Sequence, residues 1–215
     1  GQYKAATIEY KNAVKKARED STAVVEYADM LNSLGHNAIA LGMLEKVSVQ
    51  KTESYYIELV EAYQGLKKYR SASKVLINNL TNESVQVKML IADNYLGLGE
   101  LDKATDLYQA LLNQNQNEND ALLGKATAMV RGGQTEESLA LLKSIDPKSD
   151  AATKANILVA GIQISQDKLE LAESTLSELL SSMSNTDIIE PEKAVVLERL
   201  AYVLTRQGRS NEAYI

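Results

Sequence analysis

The sequence has no cysteine, no tryptophan and no phenylalanine, and it has only two prolines and one histidine. Without cysteine it can form neither a disulfide framework nor a thiolate nucleophile, and its composition does not indicate whether it works in an oxidising or a reducing compartment. His36, the one histidine, cannot build a metal site of ordinary nitrogen and sulfur ligands alone. Because no pattern of catalytic residues stands out either, we predict a protein that is not an enzyme and that needs no metal or cofactor.

The chain also lacks an excess of positive charge and a long apolar run. Its formal net charge is -6 at pH 7, whereas a general nucleic-acid binder needs a basic surface. The longest apolar run, Ile157 to Ile164, contains Gly161 and Gln163 and is far shorter than the roughly 20 residues of a membrane-spanning helix. We therefore expect no nucleic-acid partner and no direct membrane insertion of this segment.

A small residue recurs at nearly even intervals along the whole chain. Its positions are Ala6, Ala40, Ala72, Ala104, Ser138, Ala172 and Ala213, separated by 34, 32, 32, 34, 34 and 41 residues. Around each position, apolar residues recur at helical spacing, and a glycine or polar turn separates two such patterns. A period near 34 residues with two helices per unit predicts a stack of helical hairpins.

The repeat pattern also predicts where each unit begins and ends. We predict one solenoid domain over 1–215, with a partial repeat at 1–20, full repeats at 21–52, 53–84, 85–118, 119–152 and 153–187, and a partial repeat at 191–215. An excess of residues within 181–193 accounts for the longer last interval. Because both ends fall inside a repeat, we expect a fragment of a longer protein, and its uncapped terminal helices could pair with another copy.

Two stretches resemble the signature of the tetratricopeptide repeat. They are Leu59, Val60, Tyr63, Tyr69, Ala72 and Leu76, and Ile91, Ala92, Tyr95, Gly99, Ala104 and Tyr108; the pattern departs at Lys88, Lys125, Asn156 and Gln163. The resemblance covers essentially the whole chain. It implies an all-α fold, a right-handed α-α superhelix of about six hairpins, that works as a non-enzymatic scaffold for protein–protein interaction.

A narrower resemblance concerns the first thirteen residues. The segment from Gly1 through Tyr3 and Ala6 to Ala13 is similar to repeats of the large lipoproteins of bacterial exosortase and PEP-CTERM sorting systems. That family implies a role in the cell envelope, in exopolysaccharide production or protein sorting, and a periplasmic or outer-membrane-anchored location. Two alternatives stay open: the docking arm of a larger enzyme such as a glycosyltransferase, and the sensor arm of a transcription regulator.

Small side chains on the first helix of each pair should face the recurring small residues on the second helix. They are Ala28, Ala92, Ala126, Ala160 and Ala201. Without bulk at this contact, two helix axes can approach to about 8–10 Å. We therefore predict that these positions are buried in every hairpin.

The candidate binding residues lie on the first helices, where we expect a concave groove. One slot is apolar throughout (Val25, Ile57, Met89, Leu123, Ile157), and the slot four residues later holds Asp29, Glu61, Asp93, Thr127 and Gly161. Because residues four apart are neighbours on a helix, the first three repeats should show an apolar row beside an acidic row. Arg131, Lys154, Arg199 and Arg206 should make the later part of the groove basic.

Two interpretations of these rows stay open. The rows could bind a peptide, with apolar anchors supplying contact area and the acids selecting Lys/Arg-bearing segments. They could equally be an ordinary charged helix face with apolar residues packed on the neighbouring helix. The carboxylate clamp known from the resembled family is not reproduced, since its Lys and Asn positions hold Val25 and Asp29.

Overall fold

The computed structural model describes residues 21–47, 51–81, 84–114, 118–183 and 191–212. Within these ranges the chain is helical and contains no strand. The helices are α1 (Ser21–Ser33), α2 (Asn37–Leu44), α3 (Glu53–Gly65), α4 (Tyr69–Asn79), α5 (Val85–Leu98), α6 (Leu101–Asn113), α7 (Glu118–Arg131), α8 (Thr135–Ser144), α9 (Ala151–Ser165), α10 (Leu169–Ser182) and α11 (Pro191–Arg206), followed by a short 3-10 turn, Ser210–Glu212. The all-α prediction is confirmed for these residues.

The chain divides into two compact units, Gly1–Glu100 and Leu101–Ile215, which we call unit 1 and unit 2. In unit 1, each helix from α1 to α5 packs on the next one, and the first helices α1, α3 and α5 also pack side by side. In unit 2, α6 to α11 pack in the same way, and the first helices α7, α9 and α11 are neighbours. Each unit therefore has a face made only of first helices. The single continuous domain stays a prediction.

The recurring small residues are buried completely wherever the structure describes them. Ala40, Ala72, Ala104, Ser138 and Ala172 on second helices, and Ala28, Ala92, Ala126 and Ala160 on first helices, have 0% exposure. Serine fits this slot because the Ser138 hydroxyl donates to the Ala126 carbonyl at 3.1 Å, so its polar atom is satisfied without water. Ala6 and Ala213 lie outside the described residues.

One predicted member of this series is not buried. Ala201 on α11 is partly exposed. In α1, α7 and α9 this slot is buried against the second helix of the same pair. The apolar contacts of α11 within unit 2 are made instead by Val196, Leu200 and Val203.

Tyrosines take the place of the missing phenylalanine and tryptophan in the core. In unit 1, buried Tyr55 donates its hydroxyl to the Leu44 carbonyl at 3.1 Å, which links the second helix of one pair to the first helix of the next. In unit 2, the fully buried ring of Tyr108 lies against Gly124, and a Cβ at that position would collide with it. A tyrosine can serve in a core when its hydroxyl finds an acceptor or its ring finds space.

The turns inside the hairpins share one backbone conformation. Six of the described residues have φ between +57° and +85°: Gly35, Lys67, Gly99, Gly133, Asp167 and Gly208. They are 32, 32, 34, 34 and 41 residues apart, the same intervals that separate the small residues from Ala40 to Ala213. A left-handed residue ends a helix and frees the chain to reverse, and glycine adopts that conformation without a steric penalty. Lys67 and Asp167 keep the same turn without glycine.

Enlarging the fully buried Ala104 to leucine is expected to overpack α6 against its neighbours. We expect Ala104→Leu to lower the free energy of unfolding by about 1–3 kcal/mol. The control is Ala110→Leu, because Ala110 is exposed on the same helix. Thermal and urea unfolding followed by circular dichroism measure both, and equal stability of the two variants would contradict the assigned contact.

Two helical glycines should respond to alanine in opposite ways. Gly124→Ala places a Cβ against the buried ring of Tyr108, and we expect a loss of about 1–3 kcal/mol. A Cβ on Gly42 would have no other atom within 4 Å, so Gly42→Ala should gain about 0.5–1 kcal/mol from helix propensity. Urea unfolding of both variants tests this, and stabilisation by Gly124→Ala would refute the close contact.

Candidate functional site

The apolar row of unit 1 is used largely for packing. Ile57 on α3 is only 7% exposed and belongs to a core cluster with Val60 and Leu76. Val25 on α1 is partly buried and packs against the core around α1 and α2, and Met89 on α5 is partly buried. These three side chains therefore offer only part of their surface to a partner.

The acidic row of unit 1 takes one carboxyl group from each of its three first helices. Asp29 on α1 is exposed, whereas Glu61 on α3 and Asp93 on α5 are partly buried. Burial raises the pKa of Glu61 above its ordinary value, and the negative charges of Asp29 and Asp93 raise it further. The structure therefore brings both Asp29 and Asp93 within electrostatic reach of Glu61, which lies on the helix between them.

A fourth carboxyl group, absent from the predicted set, belongs to the same cluster. Glu58 on α3 is 7% exposed, and burial, followed by the charges of Glu61 and Asp29, raises its pKa to about 7. The Asn32 amide donates to Glu58 Oε2 at 3.0 Å and lowers this pKa, an effect smaller than those of burial and of Glu61 but larger than that of Asp29. A sequence signal was available, because Glu58 interrupts an apolar stretch one helical turn before Glu61.

Side-chain amides hold the first helices of unit 1 in register. Asn32 Nδ2 on α1 also donates to the backbone carbonyl of Glu58 at 3.0 Å. Thirty-two residues later, Gln64 Nε2 on α3 donates to the carbonyl of Leu90 on α5 at 2.8 Å. The donors and the acceptors are both one repeat apart, so the same type of bond joins α1 to α3 and α3 to α5. This register places the acidic residues of neighbouring first helices, Asp29, Glu61 and Asp93, next to one another on the first-helix face of unit 1.

On α7 and α9 of unit 2, the position equivalent to the acidic row of unit 1 has no carboxylate. Thr127 on α7 turns its hydroxyl to the Leu123 carbonyl at 2.8 Å, and the next slot is Gly161 on α9. Leu123 and Ile157, the apolar residues of this face, are partly buried against the unit 2 cores. Arg199 reaches across from α11 and donates through Nη1 to the Ile157 carbonyl at 2.8 Å.

The other cations predicted for this region have different surroundings. Arg206 binds Asp167 Oδ1 at 2.9 Å and the Tyr202 hydroxyl at 2.9 Å, so it lies at the turn end of the hairpin. Lys154 is 63% exposed and sits 4.0 Å from Glu192, a pair of small energetic value. Arg131 is exposed at the end of α7. Of the four, Arg199 is the one placed over the Gly161 slot.

Other functional chemistry finds little support in the described ranges. They contain no group of three or more histidine, cysteine, aspartate or glutamate side chains arranged to hold a metal ion. None of the helices in these ranges combines the length and apolar character needed to span a bilayer.

Replacing Glu58 by glutamine should alter how stability depends on pH. The folded pKa of about 7 lies above the ordinary 4.5, so the folded state retains a proton that the unfolded state releases. The wild-type free energy of unfolding is therefore expected to fall as pH rises from about 4.5 to about 7, by at most about 3 kcal/mol. Glu58→Gln keeps an acceptor for Asn32 and should remove this decline, becoming more stable than wild type above neutral pH.

Urea unfolding at a series of pH values measures this effect. Glu26→Gln, which removes an exposed carboxyl group from α1, is the control for losing one negative charge. If the Glu58→Gln and wild-type profiles run parallel across the whole range, Glu58 does not titrate as the structure implies.

Comparison with solved structures identifies the fold. The crystal structure of a tetratricopeptide repeat protein from Parabacteroides merdae ATCC 43184 matches with a TM-score of 0.79 at 18% identity, over 95% of this chain and 78% of that chain. YrrB, described as a TPR protein with an unusual peptide-binding site, aligns with a TM-score of 0.47 at 15% identity, over 88% of this chain and 96% of its own. Naa15/Naa10 bound to HypK-THB aligns with a TM-score of 0.42 at 19% identity, over 100% of this chain and 34% of that one.

At the sequence level, no protein-family model matches the chain, and no curated protein matches it. The identification therefore depends on the hairpin architecture and on the similarity to the Parabacteroides merdae protein. Both agree with the 32- and 34-residue period of buried small residues. The chain has the fold of a tetratricopeptide repeat protein, an all-α fold of the α-α superhelix class.

Proposed function

We propose that this protein is a non-enzymatic scaffold whose unit 1 first-helix face binds a Lys/Arg-bearing segment of a protein partner. The observation that carries this proposal is the cluster of Asp29, Glu58, Glu61 and Asp93 on three neighbouring first helices. The charged groups that shift the pKa values of Glu58 and Glu61 are other carboxylates, and they shift both values upward. Repulsion among these groups is relieved when an ammonium or guanidinium group binds between them.

The spacing of the acids favours an extended segment with regularly placed cations. Neighbouring helix axes lie about 8–10 Å apart, and an extended polyproline II segment rises about 3.1 Å per residue with three residues per turn, so every third side chain points the same way. A lysine or arginine at about every third residue would therefore meet Asp29, Glu61 and Asp93 in turn. The exposed parts of Val25 and Met89, one helical turn before Asp29 and Asp93, would contact the apolar residues between the cations.

The cellular setting proposed for this scaffold is the bacterial envelope, in polysaccharide production or protein sorting. It is supported by the resemblance of the segment from Gly1 to Ala13 to repeats of PEP-CTERM-associated lipoproteins. That segment lies outside the described residues. A lipoprotein signal in the sequence of the parent gene would support this setting, and a catalytic domain there would contradict the scaffold assignment.

Reversing the acidic row should abolish binding of basic segments. We expect a random displayed-peptide library selected on the wild-type protein to yield Lys/Arg-bearing peptides, and the triple variant Asp29→Lys, Glu61→Lys, Asp93→Lys to bind them at least about tenfold more weakly. Fluorescence anisotropy at two salt concentrations measures the affinities, since binding through partly exposed charges weakens as salt rises.

The matched control reverses three exposed acids on second helices, with Asp106→Lys, Glu137→Lys and Glu178→Lys. It makes the same change in net charge but leaves the acidic row intact, and it should keep most of the affinity. The variant Asp29→Asn, Glu61→Gln, Asp93→Asn removes the charges without introducing new ones, and circular dichroism checks its fold. Unchanged affinity in a folded acidic-row variant would overturn the proposal.

A further inference from the structure

The guanidinium of Arg199 in unit 2 is only partly used. Arg199 is partly buried, and its one hydrogen bond within the described residues runs from Nη1 to the Ile157 carbonyl on α9 at 2.8 Å. Its other N–H donors, on Nη2 and Nε, have no acceptor among those residues. By contrast, Arg206 on the same helix already binds Asp167 and Tyr202. Among the described residues, Arg199 is therefore held in place by one hydrogen bond.

Gly161 makes this position of Arg199 possible. A Cβ built on Gly161 would collide with Nη1 of Arg199, so any larger residue would displace the guanidinium. In unit 1 the same slot carries Asp29, Glu61 and Asp93. Unit 2 thus has a glycine in place of the acidic residue, and the guanidinium of Arg199, from the next first helix, occupies the volume that a side chain would take.

No negative charge on α9 opposes this cation. The only charged residue of α9 is Lys154, which lies one helical turn before Ile157. Lys154 is 4.0 Å from Glu192 in a largely exposed pair, and such pairs contribute less than about 1 kcal/mol. A carboxylate of a binding partner could therefore displace Glu192 from Lys154. Lys154 on α9 and Arg199, which reaches over α9 from α11, therefore lie beside the apolar Ile157, and α11 adds two carboxylates, Glu192 next to Lys154 and the exposed Glu198 beside Arg199 in the chain.

We propose that the first-helix face of unit 2 binds an acidic segment of a protein partner, with an Asp or Glu carboxylate held by Arg199 across Gly161. A planar guanidinium can donate two parallel hydrogen bonds to a carboxylate, and partial burial protects that pair from screening by salt. Lys154 receives a second carboxylate of the same segment. The two cations can pair with two carboxylates. Two acidic side chains of one segment supply them, whereas a C-terminal carboxylate supplies only one.

This inference rests on the proposed scaffold function and adds a partner preference opposite to that of unit 1. The test uses the same random displayed-peptide library on the full chain. We expect a second class of selected peptides, rich in Asp and Glu. Their affinity should fall about tenfold or more in Arg199→Gln, which removes the charge, and also in Arg199→Lys, which keeps the charge but loses the planar fork.

Gly161→Ala provides a variant that separates binding from folding. Alanine is the better helix former, and the atom it displaces is the far end of a flexible side chain, so the fold should be at least as stable as wild type. Acidic-peptide affinity should nevertheless fall, because Arg199 loses its position. Arg70→Gln, which removes an exposed cation from the second helix α4, is the matched control and should leave the affinity unchanged.

The outcomes separate this inference from the function on which it rests. If acidic peptides are absent from the selection, or bind Arg199→Gln and Gly161→Ala as tightly as wild type, the acidic preference of unit 2 is wrong. Retention of the Lys/Arg-bearing peptides in that experiment would leave the scaffold function standing. If peptides of neither charge class are selected, both proposals are overturned.

Discussion

Close contact between paired helices at one small side chain is the constraint on which the rest of the structure depends. Ala40 and Ala72 in unit 1, and Ala104 and Ala172 in unit 2, have no exposed surface. An additional methylene group at such a contact would push two helices apart along their length. Because Ser138 keeps the slot by bonding its hydroxyl to a helix carbonyl, size rather than polarity decides which residues are accepted.

Regular packing of the hairpins places chemically equivalent residues of successive first helices next to one another. In unit 1 this brings carboxyl groups together, and the Asn32 and Gln64 amides fix the register in which they meet. Charges that would be separated by solvent on an isolated helix instead raise the pKa values of Glu58 and Glu61. The fold tolerates this repulsion because its stability comes from the buried apolar contacts.

The two units use the same helix face for different chemistry. Unit 1 has an acid on each first helix, whereas unit 2 has Thr127 and Gly161 at the corresponding slots and receives Arg199 from the neighbouring helix. A single glycine changes the character of the face, since it opens the volume into which the guanidinium fits. Repeats of one architecture can therefore differ in the charge of this face through one or two side chains, while the packing contacts remain the same.

The amino-acid sequence by itself determined the helical hairpins, the period, the buried small residues and the row of Asp29, Glu61 and Asp93, because each follows from spacing along a single helix or between repeats. Only the tertiary structure decided that Ile57 is a core residue, that Glu58 is buried among the acids and that Arg199 crosses to Gly161. Those facts depend on which neighbouring helix covers each face, and on how far a long side chain reaches across it. Helical periodicity contains no information about either.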